Sequence, residues 1–267
     1  MQLYHHPLSI DSQKVRLALE EKGIDYTSHH VNPVTGKNLD ATFFRMNPIG
    51  ELPVFRNGNH ILFDTVDIIQ YVERIAAVSH GVEGVQVNNN EVAEWMHKIQ
   101  AWNSKYFTLS HIPKKHIRYV FRFLRKVIMA RMAEFPELAS GYHLKLKEIY
   151  ETEEILNGPE VAMRSREHLV KLLDDVERKL NESEYLAGSE FTVADAMLVP
   201  ILARFVLFKV DEEYIACRPS VARYWALVQR RPSYWVVIGQ HLDGWRRHKT
   251  LYKTWCFLRA RNILKRF

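Results

Sequence analysis

The chain changes character near residue 79, and this division restricts its fold more than any other feature. Before it, short apolar runs alternate with one-sided helical ones. QLYHH at 2–6 reads as a strand, VRLALEEKG as a helix capped by Asp11 or Ser12 and closed by Gly23, and IDYTSHHV as a second strand. LPVF and HILF flank Arg56-Asn57-Gly58-Asn59, whose Asn-Gly pair favours the positive φ angles of a tight hairpin. Thr65 then caps a helix over VDIIQYVERIA. Beyond the polar stretch SHGVEGVQVNNN, helical periodicity takes over with no convincing strand, predicting helices over 91–110, 114–134, 136–156, 159–180, 193–208, 219–229 and from 233 onward. The expectation is an α+β protein of two domains. A β-α-β, linker, β-β-α unit fills 1–78, a linker 79–90 and an all-helical domain 91–240, with a basic amphipathic extension over 241–267.

Charge sharpens this division. The net charge of +6 is local, because 241–267 holds eight Lys or Arg against the single acid Asp243. A second block, Trp95 to Ala133, has nine Lys or Arg and no acid, so the remainder is acidic. No run approaches the roughly 18 to 20 apolar residues of a membrane span, and the start MQLYHHP lacks the pattern of a cleaved leader. Two distant cysteines, Cys217 and Cys256, fit a reducing compartment, so the expectation is cytoplasmic. Thirteen histidines include the pairs His5-His6 and His29-His30, without metal-type spacing, and no metal is expected. Nucleic acid is not expected either, since no recognition module accompanies the charge.

Three stretches carry a resemblance: Leu3-Tyr4-His5-His6-Pro7-Leu8-Ser9-Ile10-Asp11-Ser12-Gln13-Lys14-Val15-Arg16, Asn47-Pro48-Ile49-Gly50-Glu51-Leu52-Pro53-Val54, and Asp64-Thr65. Together they resemble the cytosolic glutathione transferases of the serine type, with particular similarity to the plant TCHQD class, named after bacterial tetrachlorohydroquinone dehalogenase. The resemblance implies a thioredoxin-like first domain, an all-α second domain with a long helical insert and a basic C-terminal helix, and glutathione as co-substrate. It implies Ser9 as the hydroxyl that holds the glutathione sulfur as a thiolate. It also implies a cis bond at Leu52-Pro53, with Leu52 presenting its backbone to the cysteinyl part. Asp64 and Thr65 take the γ-glutamyl end, and Lys37 or Asn38 reaches the glycine carboxylate. Glu51 stands where the family has Lys or Gln facing that carboxylate and would repel it. Asp11 stands where the bacterial dehalogenase has its cysteine, so reductive dehalogenation and thiol transfer lose their mechanism.

The chemistry makes sense of Ser9. A free thiol with pKa about 8.5 is only about 3% ionised at neutral pH, and lowering that pKa by about two units makes it mostly thiolate. A hydroxyl donating to an anion supplies about 1.5 to 3 kcal/mol of the preference and a helix N-terminus about 0.3 to 1. Read without its neighbours, Ser9 is an ordinary helix cap; Ser12, equally suited to capping, is its main rival as the functional hydroxyl.

A hydrophobic electrophile is expected against the helical domain, around Trp95, Trp102, Tyr106 and Phe107, with Leu8 and Ile10 from the serine loop. Phe191-Thr192-Val193-Ala194-Asp195 resembles the family's buried capping box, a folding element. In the tail, Trp245, Leu251, Tyr252, Trp255, Leu258 and Ile263 mixed with basic residues suit an amphipathic helix on an anionic membrane surface, or a helix packed on the domain with its basic face solvated. The basic insert 105–131 resembles the helical loop of the membrane-attached ganglioside-induced differentiation-associated proteins. The expected activity is glutathione conjugation, with peroxide reduction as a compatible side activity, in the cytoplasm or peripherally at the plasma membrane. The competing reading is a membrane-surface protein that keeps the fold for binding. Family members are mostly homodimers, an interface the insert could block, which leaves the oligomeric state open.

Overall fold

The computed structural model describes residues 1–79, 90–242 and 245–264, so the expected linker lies largely outside the described residues. In the first unit, β1 (Gln2–His5), α1 (Ile10–Glu21) and β2 (Thr27–His30) form a β-α-β turn, and β1 pairs in parallel with β2. Two short 3₁₀ turns and α2 (Ala41–Met46) lead to β3 (Val54–Asn57), β4 (His60–Leu62) and α3 (Thr65–Ser79). The sheet order is β2-β1-β3-β4, with β3 antiparallel to both neighbours. The linker expected inside the first unit, between β2 and β3, therefore contains a helix, α2. Strand β3 runs through Asn57, so the hairpin turn is Gly58-Asn59, with Gly58 at φ +59.

The helical part comprises α4 (Asn90–Gln100), α5 (Ser104–Ser110), α6 (Lys114–Glu134), α7 (Ala139–Asn157), α8 (Pro159–Glu182), α9 (Val193–Phe208) and α10 (Pro219–Val228). The expected 91–110 helix breaks at Ala101–Asn103, because Asn103 accepts the amides of Lys105 and Tyr106 and so starts a new helix. Helix α11 (Pro232–Tyr234) runs through a π turn into α12 (Gln240–Leu242), and α13 (Trp245–Leu264) forms the tail.

Helix α9 is apolar on all sides and sits at the centre; thirteen of its residues are buried. Asp195 anchors its start, accepting from the amides of Leu186 (3.0 Å) and Thr192 (2.8 Å) and from the hydroxyls of Thr192 (2.9 Å) and Tyr224 (3.0 Å). Helix α1 packs on both α3 and α9, which leaves it almost no wet face. Its Lys14 and Arg16 are consequently buried cations.

A second core joins the insert α6–α7 to the first unit. Phe44 of α2 stacks on Tyr142 of α7 at 4.1 Å, and the Tyr142 hydroxyl donates to the Leu39 carbonyl at 2.8 Å. Helix α13 closes the same cluster with Leu258, which is 4% exposed, and Thr254 accepts from Asn32 at 2.8 Å. The tail is thus docked along one face. The side chains of Trp245, Leu251 and Ile263 lie outside the described residues.

Candidate functional site

A cleft of about 760 Å³ opens between the two units, and Ser9 lies on its wall. The expected cap of α1 is corrected here: helix α1 begins at Ile10, and Ser9, with extended φ and ψ, is its N-cap. Ser9 Oγ accepts the Ser12 amide at 3.3 Å, so neither Asp11 nor Ser12 fills that place. Accepting this bond occupies a lone pair of the hydroxyl and leaves its proton available for donation. A hydrogen bond accepted by the oxygen also polarises the O–H and strengthens it as a donor.

Around Ser9 the buried charges are uneven. Lys14, 1% exposed, donates to Asp11 at 2.9 Å and to Gln100 of α4 at 2.7 Å. Arg204 of α9, 6% exposed, donates to the Leu8 carbonyl and lies 5.8 Å from the centre of the Phe208 ring. Its pKa is lowered to about 10 by burial, with Asp11 opposing that shift, and it stays a cation at neutral pH. His6, lowered to about 4 by burial and by the charges of His30, Arg204 and His241, is neutral. Its Nδ1 accepts the Leu8 amide at 3.3 Å.

The expected glutathione residues separate into two groups. Asn38 and Leu52 line the cleft with Ser9; Lys37, Pro53, Asp64 and Thr65 do not. The Leu52-Pro53 bond is cis. Asn38 is 6% exposed and donates to the Gly50 carbonyl at 2.6 Å, while Lys37 is exposed. The cap of α3 also differs from expectation: Asp64 accepts the amides of Val66 (2.8 Å) and Asp67 (3.0 Å), and Thr65 is the buried first residue of the helix.

Leu8 and Ile10 beside Ser9, and Trp102 and Tyr106 from the helical part, line the cleft as expected. Trp95 does not: it packs in the main core, with Lys98 Nζ 5.0 Å from its ring centre. Phe107 also turns inward, into a cluster with Phe205 and Tyr214. The lining that sequence reasoning missed comes from the insert: Val120, Phe121 and Leu124 of α6, and Ile149, Thr152 and Ile155 of α7. Steps of three and four residues (Phe121 to Leu124 and Val120 to Leu124; Ile149 to Thr152 to Ile155) place each set on one helix face, a signal present in the sequence but silent about what that face encloses.

Glu51, also on the cleft, meets two lysines of the helical part. Its Oε1 is 3.7 Å from Lys105 Nζ and 3.9 Å from Lys145 Nζ, and both lysines pair with Glu148. Desolvation works against the Lys105 charge, but Glu148 and Glu51 outweigh it and raise its pKa.

Two family models match this arrangement: the glutathione S-transferase N-terminal domain over residues 3–80 and the glutathione S-transferase C-terminal domain over 152–234. The chain is 60% identical over 267 residues to the glutathione S-transferase TCHQD of Arabidopsis thaliana, covering 100% of both chains. The chain belongs to the glutathione S-transferase family. It is also 26% identical to the tetrachloro-p-hydroquinone reductive dehalogenase of Sphingobium chlorophenolicum, covering 87% of this chain and 93% of that one. Among solved structures, poplar glutathione transferase F1 shares the fold with a TM-score of 0.62 and 20% identity, covering 91% of this chain and 98% of that chain. The stretch 81–151, which holds α4–α6, most of α7 and much of the missed wall, falls between the two family models. Among the described residues no cluster of three or more His, Cys, Asp or Glu is arranged to hold a metal ion, and no helix is long and apolar enough to cross a membrane.

Proposed function

We propose that this family member conjugates reduced glutathione to hydrophobic electrophiles. The observation that carries the reading is the position of Ser9: it caps α1 in the cleft, donor proton available, opposite an apolar wall built by α5, α6 and α7. Ser9 donates to the sulfur while the first turn of α1 adds its dipole. The thiolate attacks an electrophilic carbon to form the C–S bond, and the leaving group departs, or the carbanion of an addition takes a proton from water. With Asp11 in place of a second thiol, no disulfide step follows. Asn38 and Leu52 hold the peptide part; Asp64 and Thr65 do not line the cleft, and their part in holding the γ-glutamyl end rests on the family resemblance.

Ser9→Ala removes a charge-directed hydrogen bond worth about 1.5 to 3 kcal/mol, so turnover with a chlorodinitrobenzene-type electrophile is expected to fall about 10- to 100-fold while glutathione still binds. Unchanged turnover would sink the assignment.

A second reading concerns the tail. Helix α13 exposes Tyr252 (67%) and Trp255 (51%), whose rings stack, together with the exposed Lys253 and Arg259, while Leu258 is buried. That mixture suits peripheral contact with an anionic membrane facing the cytoplasm. Trp255→Ala with Lys253→Glu and Arg259→Glu is expected to abolish cosedimentation with phosphatidylserine vesicles without unfolding the docked face; undiminished cosedimentation refutes this reading.

A further inference from the structure

A buried guanidinium is expensive to desolvate and is normally matched by a carboxylate. Arg204 is not matched in that way: among the described residues no carboxylate oxygen lies within salt-bridge distance of it, and its bond is to the neutral Leu8 carbonyl. The nearby acid, Asp11, is already engaged at 2.9 Å by Lys14, which is itself buried. Two buried cations and one carboxylate therefore surround the Ser9 loop, and all three line the cleft. The remaining groups facing this spot do not alter the balance. Gln100 from α4 is neutral and His6 is held neutral by burial; Arg16 further along α1 keeps its charge, since its partners Tyr26 and the Val236 carbonyl are neutral, but it does not line the cleft. His241 on α12 contributes no negative charge. The buried groups at the Ser9 loop thus carry an excess of one positive charge next to the residue read as the sulfur's donor, while elsewhere on the lining Glu51, Glu148 and Glu151 stand against Lys105 and Lys145.

We propose that Arg204 is a positioning residue whose buried charge has the glutathione thiolate as its missing partner, fixing the Leu8 carbonyl beside Ser9 and favouring the ionised sulfur through its field. This rests on the glutathione reading of the cleft. In the step it promotes, the S–H bond breaks heterolytically, the electron pair stays on sulfur and the proton leaves to water. The arrangement also explains why one hydroxyl suffices here: donor, helix N-terminus and net cation all act on the same atom.

The test is an ultraviolet titration of the thiolate in bound glutathione, paired with binding of S-methylglutathione, which keeps both carboxylates and has no thiol. Arg204→Gln retains a donor for Leu8 but no charge, and is expected to raise the bound thiol's pKa by about one unit, a roughly ten-fold fall in its ionisation constant, with S-methylglutathione affinity unchanged. Arg204→Lys keeps the charge and is expected to hold the wild-type value. Ser9→Ala supplies a measurement with Arg204 intact: its bound thiol should remain more acidic than free glutathione. An unchanged pKa in Arg204→Gln overturns the proposal, as does an equal loss of S-methylglutathione binding, which would make a carboxylate the partner. So does a Ser9→Ala thiol that titrates like the free peptide. Wild-type protein that binds neither glutathione nor S-methylglutathione would instead overturn the functional reading itself.

Discussion

Arg231 grips Glu21 with two parallel hydrogen bonds, Nε to Oε1 at 2.8 Å and Nη2 to Oε2 at 2.6 Å, and so ties the end of α1 to the segment leading into α11. The pair is partly buried, and the same guanidinium lies 4.3 Å from the centre of the Phe191 ring. Burial alone would raise the Glu21 pKa, but hydrogen bonds from Arg231 and Ser233 outweigh it and hold it below the ordinary value. A depressed carboxylate pKa contributes stability that is present above the ordinary carboxylate range and is lost as pH falls through it. Arg231→Ala is expected to cost about 2 kcal/mol in urea unfolding at neutral pH, and Arg231→Lys a substantial part of that, because an ammonium does not reproduce the paired geometry. The deficit should shrink in acid.

Asp195 accepts four hydrogen bonds while fully buried, so its effect should be on folding and not on chemistry. Asp195→Asn turns an NH₂ group toward donors and is expected to destabilise by about 2 to 4 kcal/mol. Folded Asp195→Asn protein, measured below its melting range, should keep the wild-type pKa of bound glutathione; a shift there would tie the capping box to the site.

His5 and His6 set an acid limit on stability. Burial lowers their pKa values first and foremost, to about 3 and about 4, with neighbouring cationic charges adding to it. Folded, they stay neutral through the range in which the unfolded chain, titrating at about 6.5, takes up protons. Stability gained from them is therefore present above pH about 6.5 and lost as pH falls toward about 4, with a slope of about 1.4 kcal/mol per pH unit for each. His6→Asn keeps an acceptor for the Leu8 amide and should roughly halve that slope in unfolding measured across this window.

The sequence told most where local signals and packing agree. Helix α6 has its expected limits because Pro113 and Pro136 bracket a continuous 3.6-residue pattern, and α9 starts at Val193 because Thr192 and Asp195 form a recognisable cap. The start of α1 was misplaced, since Ser9, Asp11 and Ser12 are all competent caps and only the backbone angles at Ser9 decide among them. Trp95 and Trp102 look alike from sequence and both are buried in the main core, yet at the break over Ala101–Asn103 only Trp102 also reaches the cleft. Arg204 carried no signal at all: a lone cation in an apolar helix reads as its wet edge, and its burial follows only from α1 packing across it.

Glu51 gives the sharpest test of how the cleft receives the glycine end of glutathione. From its charge alone it should repel that carboxylate, but Lys105 and Lys145 stand 3.7 and 3.9 Å away and partly cancel it, sharing their charge with Glu148. Glu51→Gln removes one negative charge while leaving the size of the side chain unchanged, and it frees the two lysines to face the ligand. Glu51 and Lys105 are half exposed and Lys145 is largely covered, and at 3.7 to 3.9 Å the gain is that of a solvent-screened ion pair, up to about 1 kcal/mol. The KM for glutathione is therefore expected to fall about 2- to 5-fold with kcat unchanged, and the difference should fade as salt shortens the reach of the lysines. A KM that rises instead would mean that Glu51 orders Lys105 and Lys145 for binding, and that its negative charge is part of the site.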